Sequence, residues 1–165
     1  MSVNQLETQS TLARSGTALV PAYVVTMLLS ASLLFLVQPM FARMALPLLG
    51  GTPAVWAIAM CFFQAVLLGG YCYAHLLKKY LAPAVAVPLH VGLMALAWFS
   101  LPVSLPMADV PTGGATAGIW LVGLMAKSIG YPFFFISATA PLLQSWFART
   151  THKDAANPYF LYSAS

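Results

Sequence analysis

Residues 18–40 read ALVPAYVVTMLLSASLLFLVQPM and contain no charged side chain. A helix needs about 20 mostly apolar residues to cross the hydrocarbon core of a bilayer, which is about 30 Å thick. This stretch is long enough to do so, and it is too long for the apolar core of a cleaved secretory signal. The preceding residues 1–17 are polar and carry only Glu7 and Arg14, so the basic flank of such a signal is missing. We therefore expect an uncleaved first transmembrane helix.

Three further apolar stretches follow, and turn-forming Pro and Gly residues separate them. The four expected spans lie near 18–40, 54–77, 82–103 and 116–140. Because the connections are short, consecutive spans are expected to be antiparallel neighbours. The expected fold is an all-α integral membrane protein of about four antiparallel transmembrane helices, complete in itself or part of a larger multi-span bundle. The expected domains are a polar cytoplasmic tail at 1–17, a transmembrane domain at 18–148, and at 149–165 a second tail or the start of a truncated further span.

The composition argues against a water-soluble protein. Only 6% of the 165 residues are charged and 61% are hydrophobic, whereas soluble domains contain roughly 25% charged residues. The net charge of +4 does not indicate nucleic-acid binding, because the basic residues are scattered singly or as one pair. The expected partners are the lipid bilayer and other transmembrane helices, including those of further copies of the chain.

The positions of the basic residues predict the orientation, because Lys and Arg are enriched in cytoplasmic loops. With the amino terminus inside, five of them are cytoplasmic and one, Arg43, is outside. The cytoplasmic set is Arg14, Lys78, Lys79, Arg149 and Lys153. We therefore expect a multi-pass protein of the inner (plasma) membrane with both termini in the cytoplasm, and with Asp109 in the outer third loop.

Lys127 is the only charged residue inside an expected span, about 12 Å from its outer end. Burying a lysine at such a depth costs about 2.5 to 3.5 kcal/mol. On a regular helix Gly123, Gly130 and Ser137 share its face, and small residues allow a neighbouring helix to approach. Two interpretations stay open: Lys127 belongs to a substrate or ion site, or it snorkels or pairs structurally.

Other polar residues in the spans are further candidates for an intramembrane polar site. They are Gln38, Gln64, His75 and Gln144. Gln64 is expected to hydrogen-bond between helices. A metal site is not expected. It would need further His or carboxylate ligands at the same membrane depth as His75, and His90 is the only other candidate there. The chain contains no phosphate-binding loop, nucleophile elbow or H-E-x-x-H motif. No catalytic or cofactor-binding residue is predicted.

Three stretches resemble the membrane portion of bacterial fused spermidine synthase-like proteins. They are LVQPMFARMALPLLGGTPAVW at 36–56, FFQAVLLGGYCYAH at 62–75, and SATAPLLQSWFART at 137–150 followed by NPYFLYSAS at 157–165. The resemblance implies a multi-span domain similar to the major facilitator fold, which precedes a Rossmann-like aminopropyltransferase domain. In that second domain decarboxylated S-adenosylmethionine would donate an aminopropyl group to an amine. None of its residues lies in this chain, so no catalytic role is carried over.

Two functional hypotheses follow. In the first, the chain is the truncated membrane domain of a spermidine synthase-like protein, which acts as an anchor or handles a small amine or another solute. In the second, it is a free-standing small membrane protein that serves as a transporter subunit or assembly partner.

Overall fold

The computed structural model describes residues 3–101 and 114–150 of the chain, and within them only helices, turns and bends occur. The helices are α1 (Val3–Leu49), α2 (Pro53–Tyr80), α3 (Pro83–Trp98), α4 (Gly114–Met125) and α5 (Tyr131–Phe147). A single turn of π-helix, Ala126–Gly130, joins α4 to α5 without a break. The expectation of a wholly helical fold is confirmed for this part of the chain. The predicted outer loop with Asp109 and the tail beyond residue 150 lie outside it.

Three segments are long and apolar enough to cross a membrane: Val20–Leu49, Pro53–Tyr80 and Thr116–Phe147. The predicted third span corresponds to α3, which has 16 residues and is therefore about 24 Å long. The chain leaves α3 through tight turns in which the Phe99 and Ser100 amides donate to Leu96 and Ala97. The Ser100 hydroxyl also donates to the Ala97 carbonyl, at 2.6 Å. These bonds end the helix.

Local sequence determines the turn between α1 and α2. Gly50 and Gly51 have φ values of 82° and 57°, a region in which residues with a Cβ atom are strained. Thr52 then caps α2, because its hydroxyl accepts a bond from the Val55 amide at 3.4 Å, and Pro53 fits the first helical position. The first helix was expected to end near residue 40, and it instead continues through Pro39 to Leu49.

The contacts between helices define an alternating arrangement around α5. Ser30 of α1 bonds to the Ile136 carbonyl, and Tyr23 packs on Phe147 at 5.3 Å, so α1 runs antiparallel to α5. Gly118 faces Ile58 and Ser137 faces Gly70, so α2 runs parallel to α4 and α5. Helix α3 is antiparallel to α5: His90 lies beside Thr139, and Ala86, one turn earlier on α3, belongs to the same buried cluster as Leu142 of α5.

The core is built largely from phenylalanine. Phe63 of α2 lies 4.9 Å from Phe133 of α5 and 6.4 Å from Phe41 of α1, measured between ring centroids. The outer surface is also apolar: Phe35 is 74% exposed and Ile119 is 75% exposed. Exposed apolar side chains on every long helix are typical of a surface that faces lipid.

Candidate functional site

The cations gather mainly at one end of the helix bundle. Lys78 and Lys79 lie in the last turn of α2, and Arg149 follows the end of α5. Because α2 and α5 are parallel, these three side chains lie at the same end, and Arg43 near the end of the antiparallel α1 lies at the other. No side chain that the structure describes is acidic. The bundle therefore has one strongly basic end.

A polar pocket of about 420 Å³ opens between α2 and α5 at this basic end. We call it the α2–α5 pocket. Its lining residues are Tyr71, Ala74, His75, Lys78, Pro141, Gln144, Ser145 and Ala148. Two of the candidate residues from the sequence analysis, His75 and Gln144, line this pocket. Lys78 lines it as well, although the sequence analysis used Lys78 only to predict the orientation in the membrane.

Every polar side chain around the pocket can donate a hydrogen bond, and the ammonium group of Lys78 can only donate. Lys78 contributes an ammonium group, and Tyr71, His75 and Gln144 contribute hydroxyl, imidazole and amide groups. The Ser145 hydroxyl already donates to the Leu142 carbonyl, at 2.8 Å. The arrangement is suited to an anion.

Lys127 lies in a different place, within the π turn and at the edge of an apolar groove of about 440 Å³. Phe62 and Val66 of α2 form one side of the groove, and Tyr131 and Phe134 form the other. The lysine is exposed and lies about 16 Å along the helix from Thr116, deeper than the roughly 12 Å expected from the sequence. Turns of π-helix occur often at functional sites. The groove places a cation among aromatic rings with no acidic neighbour among the described side chains.

The predicted small-residue face is divided between two sides of the helix. Ser137 is fully buried, and it lies so close to Gly70 that a Cβ atom there would overlap its hydroxyl and lie 2.9 Å from the Phe134 carbonyl oxygen. A Cβ atom added at Gly130 would meet the Phe62 ring at 3.7 Å, an ordinary van der Waals distance. At Gly123, by contrast, an added Cβ would meet none of the described atoms within 4 Å.

The π turn explains this division. On a regular α-helix, which turns about 100° per residue, Gly123 and Ser137 fall within about 40° of each other. A π turn holds one extra residue. Each side chain after it therefore points about 100° away from the direction it would have on a regular α-helix. The two residues then point about 140° apart, and only Ser137 faces α2.

Two other candidates stand apart from both cavities. Gln64 is exposed on α2, and Gln38 is half-buried on α1. Neither lines the α2–α5 pocket or the Lys127 groove. The structure thus places His75 and Gln144 in the same pocket and leaves Lys127, Gln64 and Gln38 outside it.

Sequence reasoning missed a buried polar contact among three helices. His90 of α3 is buried; its Nδ1 lies 3.5 Å from the Tyr73 hydroxyl of α2, and its Nε2 lies 3.4 Å from the Thr139 hydroxyl of α5. Thr139 also donates to the Phe135 carbonyl, at 3.0 Å. A histidine inside an apolar span is itself a signal for such a contact, since a buried polar group needs a partner.

Among the described residues no three His, Cys, Asp or Glu side chains come together as metal ligands. Comparison with known proteins adds no assignment: no family model, curated protein or solved structure matches the chain.

Proposed function

We propose that the chain is a membrane anchor: a helical domain that holds its protein in a lipid bilayer through α1, α2, the shorter α3 and the continuous α4–α5 helix. The observation that carries the proposal is the apolar outer surface of three helices long enough to cross. Such a surface is unfavourable in water and favourable in hydrocarbon. Extraction of membranes with alkaline carbonate tests it. The chain should stay in the pellet with integral proteins, and release into the supernatant would refute the proposal.

We further propose that both termini are cytoplasmic in an inner-membrane protein. The collection of Lys78, Lys79 and Arg149 at one end of the bundle supports this, because basic ends stay on the cytoplasmic side. Alkaline phosphatase fused after Ser165 should be inactive, since it folds only outside the cytoplasm, whereas a fusion after Gly51 should be active. The opposite pattern would reverse the orientation.

We propose that the protein held in the membrane by this helical domain is a relative of aminopropyltransferases. The resemblance to spermidine synthase-like membrane proteins supports this proposal. Following the reading frame beyond Ser165 tests this part separately. Further spans and an aminopropyltransferase-like domain are the expected result. A stop codon, together with detection of a protein of 17.6 kDa, would refute it.

The charges of the described side chains favour anchoring over the handling of an amine. A polyamine is a cation, and Lys127 in the groove and Lys78 in the pocket would repel it. The alternative role as a transporter subunit or assembly partner is favoured by the open space beside Gly123, where a further helix would fit. In a Cys61→Ser, Cys72→Ser background, Gly123→Cys should then crosslink to a neighbouring protein. Absence of any crosslink would argue against this alternative.

A further inference from the structure

We propose that the α2–α5 pocket binds the phosphate headgroup of an anionic phospholipid. The inference rests on the membrane placement proposed above and goes beyond it, because anchoring alone requires no specific lipid. The juxtaposition that carries it is a donor-lined cavity, formed by Lys78, His75 and Gln144, at the basic end of two parallel apolar helices.

The depth of the pocket matches that of a headgroup. Lys78 is two residues from the end of α2, and Gln144 is three residues from the end of α5. At 1.5 Å per residue both lie within about 5 Å of the helix ends. Apolar spans end where the hydrocarbon core gives way to headgroups, so the pocket opens at phosphate level.

The charge of the pocket selects an anion. Lys78 lines it, whereas no described side chain is acidic, so this part of the protein supplies no counterion for the ammonium group. Basic pockets between transmembrane helices on the cytoplasmic side are suited to anionic headgroups. A phosphodiester also accepts hydrogen bonds from the neutral donors of Tyr71, His75 and Gln144.

The surface beside the pocket indicates a lipid rather than a soluble phosphate. Leu68 lies one turn before Tyr71 and two turns before His75, on the same face of α2, and it is 63% exposed. Leu76 is exposed next to His75. An acyl chain attached to a headgroup in the pocket would lie along this apolar surface, which offers nothing to a free ion.

Native mass spectrometry of the full chain in detergent tests the proposal. Phosphatidylglycerol and phosphatidylcholine with the same acyl chains are titrated in parallel, and inorganic phosphate is added as a competitor. The chain should bind phosphatidylglycerol several times more tightly than phosphatidylcholine. Millimolar inorganic phosphate should leave the bound lipid in place, since it lacks the acyl contacts.

Lys78→Gln should weaken phosphatidylglycerol binding about fivefold, which corresponds to about 1 kcal/mol for one lysine near an anionic group. Lys79→Gln is the matched control, because it removes the same charge from the same turn but Lys79 does not line the pocket. It should change binding less than twofold. Gln144→Leu provides a second variant that changes the pocket and keeps every charge, and it should also weaken binding.

Equal losses in Lys78→Gln and Lys79→Gln would refute the pocket in favour of general surface attraction. No preference for phosphatidylglycerol, or displacement of the lipid by inorganic phosphate, would likewise overturn it. If the chain resists carbonate extraction but shows no such preference, only this inference fails. Release by carbonate would refute the membrane placement as well.

Discussion

Replacement of Gly70 by alanine tests the closest helix contact in the bundle. The new Cβ would overlap the Ser137 hydroxyl and lie 2.9 Å from the Phe134 carbonyl oxygen, an atom of the backbone that cannot turn aside. Overpacking of this kind costs about 1 to 3 kcal/mol. Because backbone is involved, we expect Gly70→Ala to lower the free energy of unfolding by about 2 to 3 kcal/mol.

Unfolding by SDS in mixed micelles, followed by circular dichroism, measures this quantity. Gly123→Ala is the matched control, since its Cβ would meet none of the described atoms within 4 Å, and it should be neutral or stabilising by up to about 1 kcal/mol. Adding Ser137→Gly to Gly70→Ala should restore part of the loss, because the hydroxyl clash disappears while the carbonyl contact stays. A Gly70→Ala variant as stable as the original chain, or a Gly123→Ala variant equally damaged, would refute the reasoning.

Further predictions concern the other polar and turn positions. Lys127→Leu should increase the carbonate-resistant fraction, because it removes about 2.5 to 3.5 kcal/mol of insertion cost; a decrease would show that the lysine has a stabilising partner. His90→Phe should lower the free energy of unfolding in the SDS assay by about 1 kcal/mol. Adding Tyr73→Phe to this variant should lower it little further, and fully additive losses would mean that the two side chains do not interact. Gly51→Ala should cost about 1 to 2 kcal/mol, because φ is positive there; no loss would contradict the turn geometry.

The helical class and the positions of the apolar segments could be predicted because each depends on local composition. The length of α1 could not be predicted from the sequence. Pro39 and Pro47 favour an earlier end of the helix, but packing against α2 and α5 keeps it continuous to Leu49. The end of α3 near Trp98 depends on hydrogen bonds of Ser100 that apolar composition does not reveal.

The candidate site could be predicted only where residues act within one helix. His75 and Gln144 were identified as polar residues of separate spans. That they line one pocket depends on the parallel packing of α2 and α5. Lys78 was assigned by its charge alone, and Gly70 drew no attention as a contact because nothing in its own helix reveals Ser137. The shared face of Gly123 and Ser137 assumed a regular helical period, which the π turn interrupts.

That single turn has a consequence for the gene that encodes it. A one-codon deletion between residues 126 and 130 would return the helix to a regular α period, and α5 would keep its orientation, because 13 residues of regular helix turn through the same angle as the 14 from Gly123 to Ser137. Ser137 would then still face Gly70, and Gln144 would still line the same pocket as His75. The helix can therefore lose one residue near Lys127 without losing its contacts at either end, and in relatives a one-residue gap at this place in an alignment would mark the same packing surface.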